Sequence, residues 1–120
     1  MKLTIYTFSR CSSCIKALKW LDANNIEYIN INIIETPPEK EILQKALKSI
    51  GNRKALFNTS GKSYRTIGSK IINAMNDDEA ISALEADGKL IKRPFLLTTT
   101  NNFLLGFNPT KWEEVLIKKK

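Results

Sequence analysis

The chain has no histidine and only two cysteines among its 120 residues. With no imidazole, proton transfer by histidine is excluded, and nucleophilic chemistry has to rest on a group that ionises by itself, foremost a thiolate. No apolar run approaches the roughly 20 residues that span a bilayer, so membrane insertion is not expected. The start of the chain passes from one lysine straight into Leu3–Thr4–Ile5–Tyr6. No cleavable apolar segment stands there, so export is not expected and the reducing cytoplasm is the expected compartment. Internal repeats and long linkers are also missing, which predicts a single domain over residues 1–120. What remains is ordinary for a folded protein: 42% hydrophobic and 26% charged residues, enough to bury a core without covalent staples.

Charge is the one compositional bias. Lysine and arginine number 19 against 12 acidic residues, a formal net charge of +7. Lys118, Lys119 and Lys120 read as a solvated end, and the rest is spread along the chain. This favours acidic partners or small anions. No basic run interleaves with aromatics as in a nucleic-acid module, so direct DNA or RNA binding is not expected.

Hydrophobic periodicity orders the elements. Leu3 to Phe8 is β-rich and predicts a buried first strand, and Ile15, Ala17, Leu18 and Leu21 mark the inner face of a helix ending near Asn25. Ile29, Ile31 and Ile33 alternate with polar residues, predicting a second strand over 28–34 with one buried face. From about Pro38 to Gly88 the pattern is helical: one helix from Glu39 to Gly51, a broken stretch through Ala55–Phe57 and Tyr64–Ile67, and one capped by Asp77 or Asp78. Phe95–Thr99 and Phe103–Phe107 then form a hairpin about Asn101–Asn102, and Pro109 opens a last helix carrying Trp112. Strand–helix–strand, helical insertion (about 38–88), strand–strand–helix is an α/β arrangement with a four-stranded mixed sheet, the thioredoxin-like layout.

The chemistry concentrates in Cys11–Ser12–Ser13–Cys14, between a strand end and a helix start. Unpaired amides and the helix dipole there favour negative sulfur, which makes Cys11 the expected nucleophile, with Arg10 adding positive charge. Cys14, one helical turn on, lies on the same side and can attack back to resolve a mixed disulfide. Ser12 and Ser13 are small and polar, leaving the sulfur approachable. Two other readings stay open: core packing of both cysteines, or half of a zinc site completed by a second subunit, since two thiolates fall short of four ligands. No metal is expected within one chain. Asn58, Thr59, Ser60 and Gly61 form a polar turn that can alternatively offer donors to an anion. Trp20 and Trp112 read as packing residues.

Taken together, Cys11–Ser–Ser–Cys14, the Ala55–Gly61 stretch, Lys92–Arg93–Pro94 and Gly106–Phe107–Asn108 resemble the arsenate-reductase-like (ArsC/Spx/YffB) family of the thioredoxin/glutaredoxin-like superfamily. The resemblance spans essentially the whole chain. It implies that Cys11 is the nucleophile, that Arg93 is one of three arginines holding an oxyanion, and that Pro94 is the cis-proline facing the cysteine. The other two arginine positions fall at Asn58 and Phe107. Each charge-assisted contact is worth about 1.5–3 kcal/mol, so arsenate reduction is not the expected activity. Arg53 and Arg65 are the remaining cations that could compensate. The resemblance implies a thiol–disulfide reductase resolved by Cys14 or by glutathione, with glutaredoxin or thioredoxin as reductant, and no tightly bound cofactor. Its regulatory branch implies instead a redox switch that binds the RNA polymerase α subunit.

Overall fold

The computed structural model describes residues 2–118. Lys119 and Lys120 of the basic terminal cluster lie outside them, while Lys118 is exposed with its Nζ 3.3 Å from Glu113 Oε1. Four strands, β1 (Leu3–Thr7), β2 (Tyr28–Asn32), β3 (Phe95–Leu97) and β4 (Phe103–Leu105), form one sheet in the order β2-β1-β3-β4. β1 and β2 run parallel, while β3 is antiparallel to both β1 and β4. This is the four-stranded mixed sheet that the residue pattern implies.

Alternate residues of the strands divide between two cores, as the period of two requires. Leu3, Ile5, Leu96 and Leu104 face α1 (Ser12–Ala23) and the C-terminal helix, packing against Ala17, Leu21 and Trp112. Tyr6, Phe95 and Phe103 face the opposite way, towards Leu43, Leu56, Phe57, Leu84 and Ile91 of the insertion. Full burial of one such leucine or phenylalanine stabilises the fold by about 1.5–3 kcal/mol. β2 departs from its expected pattern. Ile33, just past the strand, is buried, but Ile29 is 51% exposed. β2 is an edge strand, and the insertion packs over its end at Ile31 and Ile33 without reaching Ile29.

The insertion holds α2 (Lys40–Ile50), α3 (Lys62–Ile67), α4 (Ser69–Ala74) and α5 (Asp77–Ala86), with 3-10 turns at Arg53–Leu56 and Gly88–Leu90. It is not helical throughout, because Phe57 is extended and bridges Ile91. Gly51 closes α2 with φ +72, and its N–H donates to the Leu47 carbonyl at 2.8 Å. The cap of α5 is Asn76 rather than Asp77 or Asp78. Its side chain accepts from the Glu79 N–H (2.8 Å) while Glu79 Oε1 accepts from the Asn76 N–H (2.9 Å), a reciprocal capping box. The two aspartates occupy the first turn, where negative charge also favours the helix. Gly88 is dictated by crowding, because a Cβ there would overlap the Ile33 carbonyl. β3 and β4 are shorter than expected, since Thr98 Oγ1 accepts the N–H groups of Thr100 and Asn102 and turns the chain early. The last helix, α6 (Pro109–Glu113), is capped by Asn108 and widens into a π-type turn over Glu114–Lys118.

Candidate active site

β1 ends at Thr7, and a turn brings the chain round so that the Cys11 N–H donates to the Phe8 carbonyl at 3.0 Å. Cys11 is then the N-cap of α1, with extended backbone (φ −94, ψ 112). Capping is usually the task of an oxygen side chain. Here the Cys11 Sγ does it, accepting the Cys14 N–H at 3.3 Å. The sulfur thereby satisfies an amide that the first helical turn would otherwise leave unpaired.

The two thiols differ in environment. Cys11 is partly exposed and Cys14 is 1% exposed. Burial is the main influence on Cys14, whose thiol is pushed up to about 12. A hydrogen bond with the Cys11 side chain and the charge on Cys11 act the same way, while the Phe8 backbone and the Arg93 charge oppose it. Cys14 is therefore a neutral thiol at physiological pH, beside its partner.

Arg93 precedes β3, and the Arg93–Pro94 peptide bond is cis. Its guanidinium stands 5.4 Å from the centroid of the Phe8 ring, within cation–π range. Its Nη1 is buried and has no hydrogen-bond partner among the described residues. Arg93, Phe8, Asn58, Lys62, Lys89 and the Gly61–Ser63 turn line a cavity of about 170 Å³ that carries three cations and no acidic side chain. On the other side of Phe8, Cys14 lines a groove of about 450 Å³ with Thr7, Ile15, Leu18, Asn30 and Asn32. Phe8, which receives the Cys11 N–H, is the wall common to both.

The remaining site candidates separate. Asn58 joins the Arg93 cavity, its side chain lying close over Gly61. Pro94 is buried, and its carbonyl accepts the Gly106 N–H at 2.9 Å. Arg10, Ser12 and Ser13 are exposed at the helix start and line neither cavity. Arg53 is committed elsewhere, donating to the carbonyls of Met75 (2.6 Å) and Asn73 (3.3 Å) and to Asp77 Oδ1 (3.2 Å). Arg65 donates to the Ser60 carbonyl at 2.6 Å. Neither of these two arginines lines the Arg93 cavity. Phe107 packs edge-on to Trp112 and Trp20, with centroids at 5.0 and 6.3 Å, so that position serves the α1-side core. Trp20 and Trp112 pack against each other in the same way. Lys62 and Lys89 were not singled out by sequence. They stand 27 residues apart, one opening α3 and one in the turn after α5, and no local motif joins them.

A family model described as ArsC family matches residues 6–115. The chain belongs to the ArsC family. The uncharacterised protein YusI of Bacillus subtilis is 40% identical over 116 residues, covering 95% of this chain and 98% of YusI. The solved structure of an ArsC family related protein from Bacteroides fragilis matches with a TM-score of 0.86 at 40% identity, covering 95% of this chain and 97% of that one. The global transcriptional regulator Spx of Lactiplantibacillus plantarum is 24% identical over 116 residues, 96% of this chain and 86% of its own. This chain thus has the fold of an ArsC-related protein and a more distant likeness in sequence to an Spx regulator. Among its described residues no helix is long and apolar enough to cross a membrane.

Proposed function

We propose that this ArsC-family protein is a thiol–disulfide reductase of the reducing cytoplasm, with Cys11 as nucleophile and Cys14 as resolving thiol. The observation that carries the reading is the Cys11 sulfur capping α1 and accepting the amide of Cys14, one turn away. The Cys11 thiolate attacks one sulfur of a substrate disulfide, forming a mixed disulfide and releasing the other half as thiolate. That step removes the negative charge on Cys11, and with it two of the influences that hold the Cys14 proton. Burial still holds it, but the Phe8 backbone and Arg93 now act against less opposition. Cys14 passes its proton to the departing thiolate and attacks the Cys11 sulfur. The two released halves of the substrate disulfide have together gained two electrons from the cysteine pair, and a Cys11–Cys14 disulfide remains. Two equivalents of an external thiol, glutathione directly or through glutaredoxin or thioredoxin, reduce that disulfide. The three-cation cavity supports an anionic thiol such as glutathione as co-substrate, because Arg93, Lys62 and Lys89 can meet carboxylates there. Arsenate is the weaker substrate on this reading, since Phe107 is absorbed into the aromatic core and Asn58 is uncharged.

The test is turnover of a glutathione mixed disulfide with glutathione as donor. The native protein turns over, Cys11→Ser lowers the rate about a thousand-fold or more, and Cys14→Ser keeps part of it through direct attack by glutathione. A native protein without turnover on any glutathione or glutaredoxin couple would sink the proposal. The likeness to Spx favours one other reading, in which oxidation of the same pair switches binding to the RNA polymerase α subunit. Retention of α subunit on the immobilised protein in one redox state only is its signature, and equal or absent retention in both states removes it.

A further inference from the structure

A cavity of about 500 Å³ lies away from the cysteines, along the β4 edge of the sheet. Ile50, Phe57, Phe103 and Leu105 give it an apolar floor, and Lys54, Lys92 and Lys111 stand round it. No acidic side chain lines it. Among the described residues none of the three lysines enters a salt bridge. The stem of Lys92 passes over Gly106, so that a Cβ there would come within 2.9 Å of Lys92 Cε.

The backbone of this edge is open. Gly106 N–H donates to the Pro94 carbonyl and Thr98 N–H to the Asn102 carbonyl, each at 2.9 Å. With Leu96 opposite Leu104 in the register, the hydrogen-bonded pairs are Pro94–Gly106, Leu96–Leu104 and Thr98–Asn102. Phe103 and Leu105 therefore turn their N–H and C=O groups outward, and none of these takes a hydrogen bond among the described residues. An open row of backbone groups beside an apolar groove is what an added strand requires.

We infer that the β4 edge is a docking site for an acidic, extended segment of another protein, which pairs with Phe103 and Leu105 as a fifth strand and places carboxylates on Lys54, Lys92 and Lys111. The charge selects this occupant over a second copy of the chain, because two such edges would bring six lysines together. Lysines at an edge guard against self-pairing, and the same three admit a strand of opposite sign. The groove is also independent of the reductase reading. Phe57, Thr59 and Lys92 face it, while the alternate residues Asn58 and Arg93 face the cavity near the cysteines.

The test is amide hydrogen exchange on the reduced full-length protein, with a synthetic heptapeptide alternating glutamate and valine as probe. Without peptide, the Phe103 and Leu105 amides exchange fast and Leu104 slowly. A saturating excess of the acidic peptide is expected to slow Phe103 and Leu105 about tenfold or more, and a lysine–valine peptide to leave them unchanged. Lys54→Glu/Lys111→Glu weakens acidic binding about tenfold, whereas Lys16→Glu/Lys19→Glu on α1, also exposed, does not. Cys11→Ser binds as the native protein does, which separates this outcome from the fate of the reductase reading. The inference is overturned by no protection at millimolar peptide, by equal protection with both peptides, or by protection that grows with protein concentration alone. The last result would make a second copy the occupant.

Discussion

The two layers on either side of the sheet do different work with different kinds of structure. The α1 side is built from few elements: a five-residue strand, a 12-residue helix and an aromatic cluster of Trp20, Phe107 and Trp112. It holds both cysteines. The insertion side is divided among more pieces: helices of 11 and 10 residues, two of six residues and two 3-10 turns. It contributes Asn58, Lys62 and Lys89 and closes round Arg93. The placement of the Cys11 sulfur is thus set by local structure, while the charge of the Arg93 cavity is set by tertiary packing. Phe107, which the family resemblance puts at an anion-binding position, belongs to the α1-side core.

Four changes test this division. Trp112→Ala strikes the α1 side hardest. It empties a buried indole and orphans the Gly106 carbonyl that the ring N–H reaches at 3.1 Å, with an expected loss of about 4 kcal/mol in denaturant unfolding. Gly88→Ala strikes the insertion, forcing the Gly88–Leu90 turn off the Ile33 carbonyl, at about 2–3 kcal/mol. It should leave the alkylation rate of Cys11 near native while weakening glutathione saturation, because Lys89 moves and the cysteines do not. Equal loss of both would refute independent layers. Arg93→Ala removes the one cation that acts on Cys14 and lines the cavity, and is expected to lower glutathione-dependent turnover about 10- to 100-fold. Smallest is a pH effect. Cys14 is raised from 9.0 to about 12 on folding, so above pH 9 the unfolded chain releases its proton first. Stability from this group is complete below pH 9 and is lost as pH climbs towards 12. Cys14→Ser should show a shallower alkaline decline by thermal melting, and an unchanged decline would refute the assignment.

What could be read from the residues follows the same division. β1, α1 and the cysteine pair were legible because each signal lies within a dozen residues. The hairpin was legible too, but its strands were overestimated, since Thr98 spends its hydroxyl on the turn. Asn76 was recoverable from its spacing to Glu79, and the adjacent aspartates obscured it. Ile29 was misjudged because alternation reports which face a residue takes, whereas burial depends on what covers that face. Lys62 and Lys89 had no local signature, as their meeting depends on two turns separated by three helices.

The sulfur that caps α1 has one further consequence. Capping and bond-making draw on the same lone pairs, so whenever Cys11 is joined to another sulfur the Cys14 amide has a poorer acceptor. The first turn of α1 is thereby a built-in gauge. The amide resonance of Cys14 should move upfield on oxidation and back on reduction, reporting the chemical state of the protein without an added probe.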